Sequence, residues 1–349
     1  MAPCASGFEV EKPLPRIVFA LEGGTDGMQV AYYAAIERGL YREAGLDVRI
    51  VHTRGTVQAV HQVEEAGADV GTADASAVLT LRARGADVCI IAAVTDKSPL
   101  CVYSLTNAGI NGPKDLSGKR VAYDRFADPG VLFPLFMRTV GLYPEDVTLV
   151  PMERGQRLPS AVLGRIDAFL GTPQEKISLE ATLAGKKLSS LLWADHGFDL
   201  CSSCLYARES WATEHPALVA AFLQASFQGW AWTLDHPADA AQTLSRYRLI
   251  DAKAVAAEIE ALKPLLLTEI TKTEGMGAIP AARAASTLAS MERERGVRME
   301  SAAAGAFPPG FLPDPPVLLG AEPAADGKDD GTAAGGPKDA TPPRKEGMK

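Results

Sequence analysis

The stretch Ala35-Ile-Glu-Arg-Gly-Leu-Tyr-Arg-Glu-Ala-Gly-Leu-Asp-Val48 constrains the fold more than any other part of the chain. It predicts a helix that stops at Gly39, a short second helical turn, a stop at Gly45 and a strand entered at Leu46. An apolar strand, Ile17 to Leu21, and a loop of small residues, Gly23-Gly-Thr-Asp-Gly27, stand directly before it. Strand, glycine loop, helix, turn, strand is a βαβ opening, and sheets built this way bind small molecules at the carboxyl ends of their strands.

The alternation continues. After the turn Thr53-Arg-Gly-Thr56 the pattern predicts a helix over 57–66, the strand Asp69–Thr72, the turn Ala73-Asp-Ala-Ser76, the helix Ala77–Arg84 and the strand Val88–Val94. Four strands alternating with three helices make an α/β lobe around a mostly parallel sheet. Ser98-Pro99 opens an extended run to Leu105, and the turn-rich Gly109-Ile-Asn-Gly-Pro-Lys-Asp-Leu-Ser-Gly118 leads into a second set of elements. These are the strand Lys119–Tyr123, a helix over 130–140, the strand Val147–Pro151, the helix Leu158–Gly164, the strand Asp167–Leu170, the helix Gln174–Ala184 and the strand Leu188–Trp193. An extended segment, Leu200–Ala207, recrosses to the first lobe, and helices over Pro216–Leu234, Ala238–Tyr247 and Ala252–Leu267 follow. The spacing of Leu218, Phe222, Phe227 and Trp230 suits a helix face docked on a core. The expected organisation is an N-terminal extension over 1–14, lobe 1 over 15–104 and 202–315, lobe 2 over 105–201, and a disordered tail over 316–349. From Ala321 that tail is Gly, Ala, Pro, Lys and Asp with almost nothing to bury.

The lobes carry an internal echo. Val63-Glu-Glu-Ala-Gly-Ala-Asp-Val-Gly-Thr72 and Ala161-Val-Leu-Gly-Arg-Ile-Asp-Ala-Phe-Leu-Gly-Thr172 both run helix, Gly, Asp, apolar strand, Gly-Thr. In each, the first Gly (Gly67, Gly164) is expected to end a helix in a left-handed cap. The Gly-Thr is expected to turn toward a helix whose free N–H groups can hold a ligand. A generic αβ turn explains the same pattern without a ligand. Two facing lobes would put both Gly-Thr turns on one cleft.

Length and charge narrow the function classes. The 349 residues suffice for two lobes with separate cores, and the net charge of −8 supplies no basic stripe for nucleic acid or anionic lipid. No apolar run reaches the roughly 18 residues of a membrane span. The first dozen residues show neither a basic start nor an apolar core, so no export signal is read there; cytoplasmic residence and a start downstream of a leader both fit. The five cysteines are odd in number and scattered, which argues against a disulfide framework. Cys89 and Cys101 lie in apolar runs and are expected to be buried thiols. Cys201-Ser-Ser-Cys204 reads first as small residues at a strand start, with redox or metal roles as the alternatives.

No nucleotide or catalytic signature is assembled. Gly23-Gly-Thr-Asp-Gly27 has neither GxGxxG spacing nor a following Gly-Lys-Ser/Thr, and HExxH, GxSxG and metal-ligand clusters are missing from the sequence. His52, His61, His196, His215 and His236 are dispersed. What recurs is a set of small polar residues in the loops that end the strands. The candidate ligand-binding residues are Gly24, Thr25, Asp26, Arg54, Gly55, Thr56, Asp74, Ser76, Ser98, Asp124, Arg125, Phe126 and Thr172. Two ligand readings stay open. Asp26, Asp74 and Asp124 suit amino or ring N–H groups, with Phe126 or Tyr123 for stacking; Arg54 and Arg125 suit a carboxylate or sulfonate.

At these residues the chain resembles the family that unites thiamine-pyrimidine synthases with nitrate/taurine-type solute-binding proteins. The matching pieces are the Ala35–Val48 stretch, Gly67-Ala-Asp-Val-Gly-Thr-Ala-Asp74, Gly109–Val121, Gly164-Arg-Ile-Asp-Ala168 and Glu214-His-Pro-Ala-Leu-Val-Ala-Ala-Phe-Leu223. They run in order across about residues 15–315. The resemblance implies the type II periplasmic-binding-protein fold, two lobes hinged near residues 100–119 and 194–207 that close on one small ligand. It implies a solute-binding component of an ABC importer, periplasmic, with a permease and an ATPase as partners and no cofactor; an enzyme or cytoplasmic sensor on the same fold is the alternative. The fungal synthases of the family carry a Lys-x-x-x-His pair and a cysteine-rich run. Here the corresponding segment is Ala73-Asp-Ala-Ser-Ala77, and only Cys201-Ser-Ser-Cys204 stands for the run. Binding without chemistry is therefore the expectation.

Overall fold

A computed structural model describes residues 13–22, 27–53, 56–95, 97–124, 128–183, 185–198, 200–295 and 303–320. The chain starts with β1 (Arg16–Leu21), α1 (Val30–Glu37), α2 (Leu40–Glu43), β2 (Asp47–His52), α3 (Thr56–Glu64), β3 (Val70–Asp74), α4 (Ala75–Arg82) and β4 (Cys89–Ala93). It crosses into β5 (Cys101–Leu105), β6 (Arg120–Tyr123), α5 (Asp128–Thr139), β7 (Thr148–Pro151), α6 (Arg154–Val162), β8 (Ala168–Gly171), α7 (Glu175–Ala181) and β9 (Leu188–Leu192). It then returns through β10 (Ser203–Ala207) to α8 (Glu209–Glu214), α9 (Pro216–Asp235), α10 (Pro237–Ser245), α11 (Ala252–Leu266), α12 (Glu269–Thr273) and α13 (Ala281–Arg295).

The two sheets have orders β2-β1-β3-β10-β4 and β7-β6-β8-β5-β9. β1 lies parallel to β2 and β3, and β6 lies parallel to β7 and β8. In each sheet the fourth strand is antiparallel and arrives from the other lobe: β10 between β3 and β4, β5 between β8 and β9. This is the mostly parallel, two-lobed α/β architecture read from the alternation. The lobe boundary expected at residue 104 needs correction, because β5 already belongs to the second sheet and the chain has crossed by Cys101. Its own residues are a short apolar run that fits either sheet; only the long-range pairing with Gly171 and Leu192 decides.

The exchanged strands are tied to each other where they leave their lobes. Val94 N donates to Ser203 O at 2.8 Å, and Trp193 N donates to Leu100 O at 2.9 Å. Each crossing therefore holds the root of the other.

The echo has a structural cause at the far end of each sheet. Asp69 Oδ2 accepts from Val18 N at 2.8 Å while Asp69 N donates to Val18 O at 2.8 Å. Asp167 repeats this with Arg120, accepting its N–H at 2.8 Å and donating to its O at 2.9 Å. Both aspartates thus pin the start of the third strand of their lobe to the first. The left-handed caps differ: Gly164 has φ +68°, as expected, but in lobe 1 the positive φ of 60° falls on Ala66 and not on Gly67. Arg120 also clamps Asp167 through Nε at 3.0 Å and Nη2 at 2.9 Å, and these hydrogen bonds hold the carboxyl below the ordinary aspartate range. A depressed carboxyl stabilises the fold above its unfolded pKa of about 3.9 and loses that contribution as pH falls through the folded value. Asp167→Asn is expected to lower urea resistance at neutral pH, with the gap to the parent protein closing in acid. A gap that is unchanged in acid would refute the clamp.

Helices α1 and α9 cover one face of the first sheet, and the aromatic residues of α9 face the core. Phe19 meets Tyr32 and Phe222 edge-on at 4.9 and 5.0 Å, and Phe222, Phe227 and Trp230 are buried. The expected disorder from residue 316 does not hold for residues 316–320. Val317 O accepts from Met276 N at 2.8 Å, Leu319 N donates to Thr271 O at 3.0 Å, and the Leu319 side chain is buried. A single leucine filling an apolar slot over α12 outweighs the polar composition around it. Residues 321–349 lie outside the described residues.

Candidate functional site

Parallel strands end together, so the carboxyl ends of β1 and β3 in lobe 1 and of β6 and β8 in lobe 2 form two rims. On the first rim Asp74 caps α4. One carboxylate oxygen accepts from Ser76 N at 2.8 Å and the other from Ser202 Oγ at 2.9 Å. Ala75 N donates to Ser202 O at 2.7 Å, so the first N–H groups of α4 are used inside the protein. Thr72 sits within β3, and its hydroxyl accepts from Glu22 N at 3.0 Å. Beside it, Gln29 is buried; its amide nitrogen donates to Glu22 O at 2.6 Å, while its Oε1 has no partner. Thr95 Oγ1, after β4, is likewise buried and unpartnered.

On the second rim the chain packs charge. Arg157, on α6, is buried, donates to Leu170 O, and lies 5.9 Å over the Phe169 ring. Its Nη2 is 3.8 Å from Glu175 Oε1, and Arg154 pairs with that same oxygen. Burial lowers the Arg157 pKa, while the charge of Glu175 pulls it back up. Glu175 Oε2 and Gln174 Oε1 are buried with no partner. Thr172 contributes its carbonyl, which accepts from Tyr103 Oη at 2.8 Å and from Glu175 N at 3.0 Å.

The rims meet at α11. This helix belongs to the core of lobe 1 through Val255, Ile259 and Leu262, and its Glu258 accepts from Gly27 N at 3.0 Å. The same helix touches α7 of lobe 2, the helix that opens with Glu175. Helices α13 and α5 also meet. The end of the glycine loop and the acceptors after β8 thus gather about one helix.

The sequence-predicted residues fall into three groups. Gly24, Thr25, Asp26, Arg54, Gly55, Arg125 and Phe126 lie outside the described residues. Asp74, Ser76, Asp124 and Thr172 stand on the rims, and Thr56 opens α3. Ser98 is buried in the crossing between the sheets, where its Oγ accepts from Leu100 N at 3.4 Å. Both thiols of the CxxC, Cys201 and Cys204, are buried, and Cys204 Sγ donates to Ala73 O at 3.3 Å. Burial raises the Cys204 pKa. Gln29, Arg157, Gln174, Glu175 and Glu258 were not read from the sequence. Gln174 and Glu175 directly follow Thr172-Pro173, so extending that loop into its helix would have found them.

The profile of the family described as NMT1/THI5 like matches residues 28–240, more than half of the chain. The chain belongs to this family. Among its relatives, a formylaminopyrimidine-binding protein of Halalkalibacterium halodurans is 25% identical over 237 residues, 67% of this chain and 71% of the relative. A 4-amino-5-hydroxymethyl-2-methylpyrimidine phosphate synthase of Schizosaccharomyces pombe is 25% identical over 243 residues, 66% of this chain and 68% of the enzyme. In fold, this NMT1/THI5-like chain is similar to the periplasmic aliphatic sulphonate binding protein SsuA of Escherichia coli. That match has a TM-score of 0.67 at 16% identity and covers 81% of this chain and 94% of SsuA. The family-level resemblance carried by the five sequence segments agrees with these matches.

Proposed function

We propose that the chain is the solute-binding component of an ABC importer, which captures a small heteroaromatic compound between its lobes and presents it to a permease. The observation that carries this reading is the set of unpartnered buried acceptors on both rims: Gln29 Oε1 on lobe 1, Gln174 Oε1 and Glu175 Oε2 on lobe 2. A buried acceptor without a donor is costly, so a ligand bearing amino or ring N–H groups stabilises the closed arrangement. This favours the amino-bearing ligand over the sulfonate, since Arg157 is already committed to Leu170 O and Glu175. The formylaminopyrimidine-binding relative fits that ligand class.

Binding without conversion is part of the proposal. The positions of the synthase lysine and histidine are Ala73 and Ala77; Ala73 is fully buried in β3 and its carbonyl receives the Cys204 thiol. Action in the periplasm follows from the importer role. No helix among the described residues is long and apolar enough to cross a membrane. The lobes are assigned as residues 15–95 with 203–320, and 101–192, each with the strand the other lends it.

Thermal-shift and calorimetric titrations with aminopyrimidines and with alkanesulfonates test the reading. The expected result is saturable binding of an aminopyrimidine and none of the sulfonate, with Glu175→Gln weakening it by about tenfold. Binding of the sulfonate alone, or aminopyrimidine binding indifferent to both Glu175→Gln and Gln29→Ala, would overturn it.

A further inference from the structure

Away from the cleft, the outer edge of the first sheet carries a recess of about 540 Å³. Its floor is the edge strand β2 (Asp47, Val48, Arg49, Ile50 and His52), and its walls are Tyr33 and Ile36 of α1 with Tyr247 and Arg248 after α10. The acids at this edge are already engaged. Asp47 faces Arg16 Nε at 2.8 Å, and Glu37 accepts from Arg246 Nη1 at 2.7 Å and from the Tyr247 hydroxyl at 2.5 Å. Arg49 and Arg248 have no carboxylate partner among the described residues.

The guanidinium groups of Arg49 and Arg248 can only donate. The Tyr33 hydroxyl bonds to His52 Nε2. With tyrosine donating, the imidazole proton stays on Nδ1, which is buried and has no acceptor. Arg248 Nε is also buried and unpartnered. The Tyr33 and Tyr247 rings lie 4.7 Å apart and give the recess an aromatic wall. Burial and the neighbouring Arg248 charge lower the His52 pKa, which disfavours the charged ring.

We propose that this recess is a second small-molecule site, separate from the inter-lobe cleft, that binds an oxyanion through Arg248, the His52 Nδ1–H and Arg49. Two guanidinium groups with no carboxylate partner among the described residues, together with the unpartnered Arg248 Nε, leave the site short of negative charge. A carboxylate or phosphate supplies it, and charge-assisted hydrogen bonds of this kind are the stronger class. An oxyanion carried on a flat ring would in addition lie against Tyr33 and Tyr247.

Calorimetric titration of the full chain with inorganic phosphate and, separately, with benzoate tests this. At least one of the two is expected to bind saturably. Phosphate alone points to a free inorganic anion; benzoate points to a carboxylate that also uses the aromatic wall. Arg248→Gln is expected to weaken binding by about tenfold or more, and the exposed Arg49→Gln by about threefold. Glu175→Gln, in the cleft, is expected to leave it unchanged. Failure of both anions to bind, undiminished binding in Arg248→Gln, or loss of binding in Glu175→Gln would each overturn the proposal. Should Arg248→Gln not fold by circular dichroism, Arg49→Gln decides in its place.

Discussion

Trp193→Ala is expected to destabilise the second lobe by ~3–5 kcal/mol, the range for deleting a large buried aromatic side chain. The indole is fully buried and stacks on Phe136 at 4.8 Å with an interplanar angle of 8°, while Phe133 lies at 5.8 Å and Phe198 meets it edge-on at 5.2 Å. Alanine would leave a void lined by three aromatic rings, and such rings cannot collapse into it without leaving their own rotamers. The position has a second consequence, because Trp193 N is the group that holds Leu100 O at the root of the crossing strand. Loosening the aromatic cluster therefore loosens the tether between lobes as well as the lobe. The two lobes need not unfold together, so hydrogen exchange of the β6 and β8 amides is the appropriate measurement, and not a single whole-chain midpoint. Trp193→Phe keeps most of the stack and is expected to cost less than half as much. A loss below ~1 kcal/mol for the alanine variant would show that the cluster does not hold the second lobe together.

Much of the fold is legible because its signals are local. The Gly39 and Gly45 stops, the alternation of short apolar runs with helices, and the Pro216 start of α9 each depend on residues a few positions apart, and all three occur where the sequence places them. The assignment of β5 to the second sheet depends on partners 66 or more residues away, Gly171 among them, and nothing in Cys101–Leu105 itself encodes it. Ala66 takes the left-handed turn expected of Gly67 because the helix ends at Glu64, two residues sooner than expected, and capping geometry is a matter of single residues. Leu319 shows the same limit in reverse, since one buried leucine fixes a segment whose composition reads as disordered. The sequence places its candidate residues at the ends of strands but does not show which polar groups there are already satisfied. Asp74 looks like a ligand carboxylate until Ser76 and Ser202 occupy both its oxygens. Glu175 looks like an ordinary first-turn acid until Arg154 and Arg157 take one oxygen and leave the other bare.

Gly71→Ala is expected to destabilise the first lobe by ~1–3 kcal/mol or more, the range for overpacking a filled core. A Cβ at residue 71 would stand 2.4 Å from the Tyr206 hydroxyl and 2.5 and 2.7 Å from two of its ring carbons. Neither partner has room to move. Gly71 and Tyr206 are paired in register across β3 and β10, and β10 is itself hydrogen-bonded on its other side to β4. The expected relief is specific: in a Tyr206→Leu background the alanine should cost much less, a coupling of ~0.5–3 kcal/mol in a double-mutant cycle. Equal costs in both backgrounds would place the strain elsewhere. Gly171, the matching residue of lobe 2, gives the contrasting case. There an added Cβ meets the Tyr103 ring only at 3.0 Å, and its nearest neighbour is Glu175 Oε2 at 2.6 Å, the far end of a side chain that can turn away. Gly171→Ala should therefore cost less stability than Gly71→Ala yet displace the bare carboxylate oxygen, weakening aminopyrimidine binding where Gly71→Ala weakens the lobe. Gly71 thus makes room for a crossing strand, while Gly171 also sets where the Glu175 Oε2 acceptor points.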